Sequence, residues 1–155
     1  MKVELFPFQK TALARLRQSV ATALGNYRST HTPQVVSYTA PTGAGKTIVM
    51  SALIEAIYYG DELYPDQNEA IFIWLSDSPQ LNEQSRLKID LKADKIRLNQ
   101  CVVISDDSFD MEVLEDGHIY FLNTQKLSKS SNPTSGGQLY FRSGTPYSRS
   151  DHTAL

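Results

Sequence analysis

A chain of 155 residues with 15 basic and 17 acidic side chains, a net charge of -2 and 41% hydrophobic residues has the make-up of one globular domain, and at this length folding buries roughly 70% of the unfolded surface. Disorder and collagen-like repeats are excluded by that composition, and a membrane span is excluded because the longest apolar run is Ala70–Leu75, far short of the ~18 residues needed. One cysteine, Cys101, leaves no internal disulfide or cysteine-based zinc cluster, and the N-terminus has no signal-peptide core; both features fit a cytoplasmic protein.

Residues 1–50 hold six basic side chains and one acidic, whereas 51–100 sum to -4 and 101–155 to -3. No basic arm results. Any contact with nucleic acid must therefore come from a few placed groups rather than from a broad positive surface.

In chain order, Phe8–Leu24 reads as an amphipathic helix with Leu13, Leu16, Val20 and Leu24 on one stripe, Arg15 and Arg17 off it, and Gly25 as its C-cap. A polar loop, Asn26–Pro33, leads to a short strand at Val35–Thr39. The glycine-rich Ala40–Thr47 follows, and then a helix from Lys46 to about Tyr59 with Val49, Ala52, Leu53, Ala56 and Ile57 on one face. Ala70–Leu75 is apolar at every position, as in strands buried on both faces of a parallel sheet. A third helix begins near Ser78 or Pro79, with Ser78 as N-cap, and runs to about Lys95. Cys101–Ile104 and Ile119–Asn123 are two more strands, separated by an acidic run from Asp106 to Gly117 that has no metal-site pattern and reads as a solvated loop. From residue 128 to 155 the chain is rich in Ser, Gly and Pro, with a short strand at Leu139–Arg142 and Asp151 placed to cap a further helix. Alternating strands and helices indicate an α/β fold with a mostly parallel sheet.

The strongest chemical signal is Ala40-Pro41-Thr42-Gly43-Ala44-Gly45-Lys46-Thr47. In a phosphate-binding loop, or P-loop, glycines let backbone N–H groups converge on a polyphosphate at a helix N-terminus. A Lys then reaches the outer phosphates, and a Ser or Thr hydroxyl holds Mg²⁺. Gly43 and Gly45 supply the turn here, with Ala44 between them, and Lys46 and Thr47 supply the charge and the metal ligand. Ala40 replaces the first glycine of the general pattern. A plain glycine turn would have no use for the Lys-Thr pair at the helix start, so a nucleotide with Mg²⁺ is the expected ligand, and the resemblance below makes that nucleotide ATP.

This spelling of the loop is common in superfamily 2 helicases and translocases, and the chain resembles the first RecA-like domain of the branch that contains the Res subunits of type III restriction enzymes. Three further segments carry the resemblance. Leu5-Phe6-Pro7-Phe8-Gln9 is similar to a segment in which an aromatic-flanked Gln recognises adenine; Gln9 would read the N6 and N7 edge through its amide, with Phe8 or Phe6 covering the base. Ile73–Ser85 resembles motif Ia, which implies DNA-backbone contacts from Ser78, Gln80 and Gln84 at a helix N-terminus. Phe121–Leu127 is close to the strand-end segment before motif II, with Thr124, Gln125 and Lys126 placed to touch strand backbone.

The resemblance implies a fold and a function. Residues 1–155 would be the N-terminal part of one RecA-like motor domain, with 1–127 as compact core and 128–155 irregular. Related motors hydrolyse ATP with a DEAD or DEAH-type segment, which this sequence does not contain. We therefore expect the ATP-binding portion of a DNA helicase or translocase of restriction-enzyme type, a hydrolase only within a longer parent that works with a modification subunit. Catalytic roles for Lys46 and Thr47 follow from the loop. Central sheet positions would be unfilled, giving either a rearranged sheet or self-association through unpaired edges. Two other readings stay open: a stand-alone nucleotide-dependent enzyme or kinase with Asp106 beside Mg²⁺, the run Phe72–Asp77 being the weaker substitute for that acid, and a module that binds nucleotide or DNA without turnover.

Overall fold

The structure, a computed structural model, describes residues 1–104 and 114–124. Its elements are α1 (Pro7–Thr30), α2 (Lys46–Tyr59), β1 (Phe72–Ser76), α3 (Pro79–Lys92), a 3-10 turn (Leu98–Gln100), β2 (Cys101–Val103) and β3 (Ile119–Asn123). The strands form one parallel sheet in the order β1-β3-β2, with Phe72 and Cys101 both level with Ile119. The α/β class and the parallel sheet are as the sequence indicates.

The apolar stripe of α1 forms as expected. Leu16 is buried against Val49, Leu53 and Ile57 of α2, with Leu13 and Val20 packed beside it. The helix does not stop at Gly25, however; it continues to Thr30 and ends on His31 in the left-handed region at φ 56°. A glycine inside a helix costs only about 1 kcal/mol relative to alanine, and the Asn26 carbonyl accepts from the hydroxyls of Ser29 and Thr30 in the added turn. Arg17, off the apolar stripe, is nonetheless buried. It is 3% exposed, donates through Nε to Asp61 Oδ2 at 3.1 Å and through Nη2 to the Pro65 carbonyl, and lies 4.7 Å from the centre of the Tyr64 ring. Those contacts fasten the loop after α2 onto α1.

Helix α2 is buried on more than the expected face. Val49, Leu53 and Ile57 meet α1, while Ile54 and Tyr58 join Ile89, Ala93, Ile96, Ile119 and Phe121 in a second cluster against α3 and the sheet. Glu55, also buried, accepts from the N-terminal ammonium of Met1 and from the amides of Asp94 and Lys95. Burial raises its carboxyl pKa, but those donors outweigh burial and hold it below the ordinary carboxylate value. The same two amides explain why α3 ends at Lys92 rather than near Lys95: they turn to Glu55, and Ala93 is already extended.

Two strand expectations fail. Ala70–Leu75 is not buried on both faces: Phe72 and Trp74 pack on the core, but Ile73 and Leu75 are about half exposed. β1 is an edge strand, and the strand buried on both faces is β3, in the middle. Val35–Thr39 forms no strand; Val35 is 90% exposed and only Tyr38 of this segment packs on the core, against the cluster that α1 and α2 share. A short strand persists only when a neighbour takes its hydrogen bonds, and β1 pairs with β3 alone among the described strands. The sheet is accordingly incomplete. Asp106, Gln125, Lys126, the strand at Leu139–Arg142 and the whole of 128–155 lie outside the described residues.

Candidate nucleotide site and strand-end junction

The glycine loop sits at the N-terminus of α2. Gly43 and Gly45 have φ of 84° and 79°, a conformation that costs other L-residues roughly 1–2 kcal/mol, and Gly45 is the N-cap of the helix. Among the described residues the amides of Gly45, Lys46 and Thr47 meet no protein acceptor, whereas the Ala44 amide donates to the Pro41 carbonyl at 3.2 Å. Three amides at the positive end of a helix can receive an anion. Lys46 Nζ reaches back over the loop to the carbonyls of Ala40 (2.6 Å) and Pro41 (3.2 Å). Its ammonium is thus held on the loop's own carbonyls. Thr42 is exposed and Thr47 half-buried, and the Thr47 carbonyl accepts from Ser51 Oγ.

Gln9 is brought to this loop from the first turn of α1. Its side chain is buried: Oε1 accepts from the Phe6 amide at 3.0 Å and Nε2 donates to the Ala44 carbonyl at 3.0 Å. A Cβ on Gly45 would stand 2.5 Å from that Nε2. A side chain there would have to displace the Gln9 amide as well as adopt a left-handed φ of 79°. Phe6 and Phe8 flank Gln9 as an exposed stacked pair, ring centres 5.9 Å apart and 7° from parallel.

The other predicted contacts gather at the carboxyl ends of β1 and β3, where Ser76 and Asn123 are level. Ligands of open α/β sheets commonly bind at strand ends of this kind. Ser78 caps α3 by accepting from the Leu81 amide, and Gln80 and Gln84 are exposed on that helix. Thr124 Oγ1 lies 3.3 Å from the Ser76 carbonyl and 3.2 Å from Asp77 Oδ1. Ser76 Oγ lies 2.7 Å from Asn82 Oδ1 and 2.9 Å from the Ser78 carbonyl. Sequence reasoning missed Ser76, Asp77 and Asn82 as a unit. The available signal was an Asn four residues after the cap, on the inward face of the helix.

An open depression of about 490 Å³, lined by Tyr59, Lys95, Arg97 and Gln100 among others, lies at the opposite end of α2, roughly 20 Å from the loop by helix rise. It is separate from the phosphate cradle. Cys101, buried near that end, has its thiol pKa pushed up to about 11 by burial, which leaves it a core residue rather than a nucleophile.

A glycine loop with two left-handed glycines, open amides and a Lys at the start of a helix, beside a parallel sheet, defines an ATP-binding P-loop domain of RecA-like, helicase type. Residues 2–148 match the family model described as "Type III restriction enzyme, res subunit", and the chain belongs to that family. Neither the curated proteins nor the solved structures give a significant match. Among the described residues no helix is long and apolar enough to cross a membrane.

Proposed function

We propose that the chain is the ATP-binding part of a DNA helicase or translocase of restriction-enzyme type, which holds nucleotide without efficient hydrolysis by itself. The observation that carries this reading is the set of Gly45, Lys46 and Thr47 amides without a protein acceptor among the described residues, at a helix start whose Lys46 ammonium folds onto the loop's own carbonyls. Polyphosphate would exchange places with the carbonyls that Lys46 now holds, with Gly43, Ala44 and Thr42 shaping the loop. Bound Mg²⁺ would neutralise phosphate charge, with Thr47 as its protein ligand; no group of three His, Cys, Asp or Glu side chains among the described residues offers a separate metal site. Phe8, beside the loop, would cover adenine, and Gln9 would read it only by giving up the bonds its amide now makes to Phe6 and Ala44.

Weak hydrolysis is supported by the carboxylates. The only Asp-Glu pair in the sequence, Asp61-Glu62, follows helix α2 instead of a strand, and Asp61 is committed to Arg17. DNA backbone would lie along Ser78, Gln80, Gln84 and Thr124 and continue to Gln125 and Lys126, while a modification subunit would join the parent enzyme. The edge of β1 that meets no strand among the described residues, with half-exposed Ile73 and Leu75 beside it, supports self-association. The single cysteine supports a cytoplasmic location.

Titration with a fluorescent ATP analogue tests the core of this reading. Lys46→Ala should weaken binding at least tenfold, on the order of one charge-assisted phosphate contact; equal affinities would remove the loop from the function. Phosphate release should stay at background with or without DNA. DNA-stimulated turnover would overturn the non-hydrolysing part.

A further inference from the structure

The polar junction at the ends of β1 and β3 contains a carboxylate where a nucleic-acid contact is expected to contain none. Asp77 is exposed, and one of its oxygens is 3.2 Å from the hydroxyl of Thr124. The remaining groups of the junction are satisfied without it: Ser76 turns to Asn82 and Ser78, and Ser78 caps α3. Thr124 has one hydroxyl proton, shared between the Ser76 carbonyl at 3.3 Å and Asp77. A phosphodiester oxygen arriving at Thr124 needs that same proton, and it brings a negative charge next to a carboxylate.

We infer that Asp77 is a specificity-determining residue of the DNA site, its carboxylate competing with the DNA phosphate for the Thr124 hydroxyl and so weakening the hold of the site on bare backbone. The inference rests on the reading of Ser78 and Thr124 as DNA-backbone contacts. Competition of this kind disfavours random phosphate binding most, because a phosphate held by few other groups cannot displace the carboxylate. The loss is local and does not depend on net charge elsewhere. Asp77 differs in this from acids such as Glu62, exposed in the loop after α2.

The test uses the full chain, a labelled single-stranded oligonucleotide and fluorescence anisotropy at low salt. Asp77→Asn should tighten binding roughly three- to tenfold, the size expected for removing one like charge at close range in a partly solvated site. Thr124→Val should abolish most of that gain when combined with it, because the two side chains are then coupled. Glu62→Gln should change affinity by less than about twofold, as expected for a solvated charge, and affinity for the ATP analogue should be unaltered by Asp77→Asn. Asp77→Ser, which removes the charge but keeps a small polar side chain, serves as a second variant if the first melts early. Unchanged or weaker DNA binding by both Asp77 variants overturns the inference while leaving the DNA site in place. A gain that survives undiminished in Thr124→Val replaces competition with a general charge effect and also overturns it. If neither wild type nor the variants bind DNA at low salt, the DNA reading itself falls.

Discussion

The phosphate loop and the junction at the ends of β1 and β3, the two places read above as anion sites, are built from different materials. The loop uses backbone amides and one Lys, all within Gly43–Thr47, with its cation folded onto its own carbonyls. The junction uses side chains drawn from positions 48 residues apart, such as Ser76 and Thr124, and it contains a carboxylate instead of a cation. A site made of contiguous backbone depends on φ angles. One made of distant side chains depends on the sheet register that brings them together.

That difference can be broken deliberately. The largest effect should come from Gly45→Ala, which places a methyl group 2.5 Å from Gln9 Nε2 at a φ of 79°. Strain of about 1–2 kcal/mol together with a displaced hydrogen bond of about 1 kcal/mol should lower nucleotide affinity roughly 30- to 150-fold. DNA binding should be unaffected. Parallel loss at both ends would show that the loop and the junction are one structural unit.

Glu55→Ala is the variant that should affect both ends alike, because it loosens the N-terminus and the end of α3 rather than either site. It should cost about 2 kcal/mol of stability, the buried acid losing three donors. Its pKa is lowered by folding. The stability it contributes is therefore fully present above the ordinary carboxylate pKa, near 4.5, and is lost as pH falls through the lower folded value. Urea melts from pH 7 to pH 3 should show the wild type converging on Glu55→Ala at the acid end. A constant gap between the two would contradict the linkage.

The smallest effect should come from Asn82→Ala, which removes the buried amide beside Ser76. About 1–2 kcal/mol of stability should be lost, DNA binding should weaken a fewfold, and nucleotide affinity should hold within twofold. A large fall in nucleotide affinity would mean that the two ends communicate through α3.

How much could be read in advance follows the same division. The glycine loop, the helix it starts and the stripe of Leu13, Leu16 and Val20 were legible because each is encoded by neighbours a few residues apart. So was the cap at Ser78, a residue that suits a helix start wherever the helix ends up. The strand at Val35–Thr39 was misread because β-branched residues promise a strand only where a partner strand lies alongside. Arg17 and Glu55 were missed for a related reason. Their partners, Asp61 for one and the Met1 ammonium with the Asp94 and Lys95 amides for the other, are about 40 or more residues away.

By itself the sequence determined the chemistry of the phosphate loop, the α/β class and the family, since a phosphate cradle is a local backbone conformation that two glycines, a Lys and a helix start specify. Tertiary structure alone decided that β3 and not β1 is the central strand, that the Gln9 amide is spent on Phe6 and Ala44, and that Asp77 faces Thr124. Those outcomes depend on which strands lie side by side, and strand pairing is settled by burial and hydrogen bonding across the whole sheet.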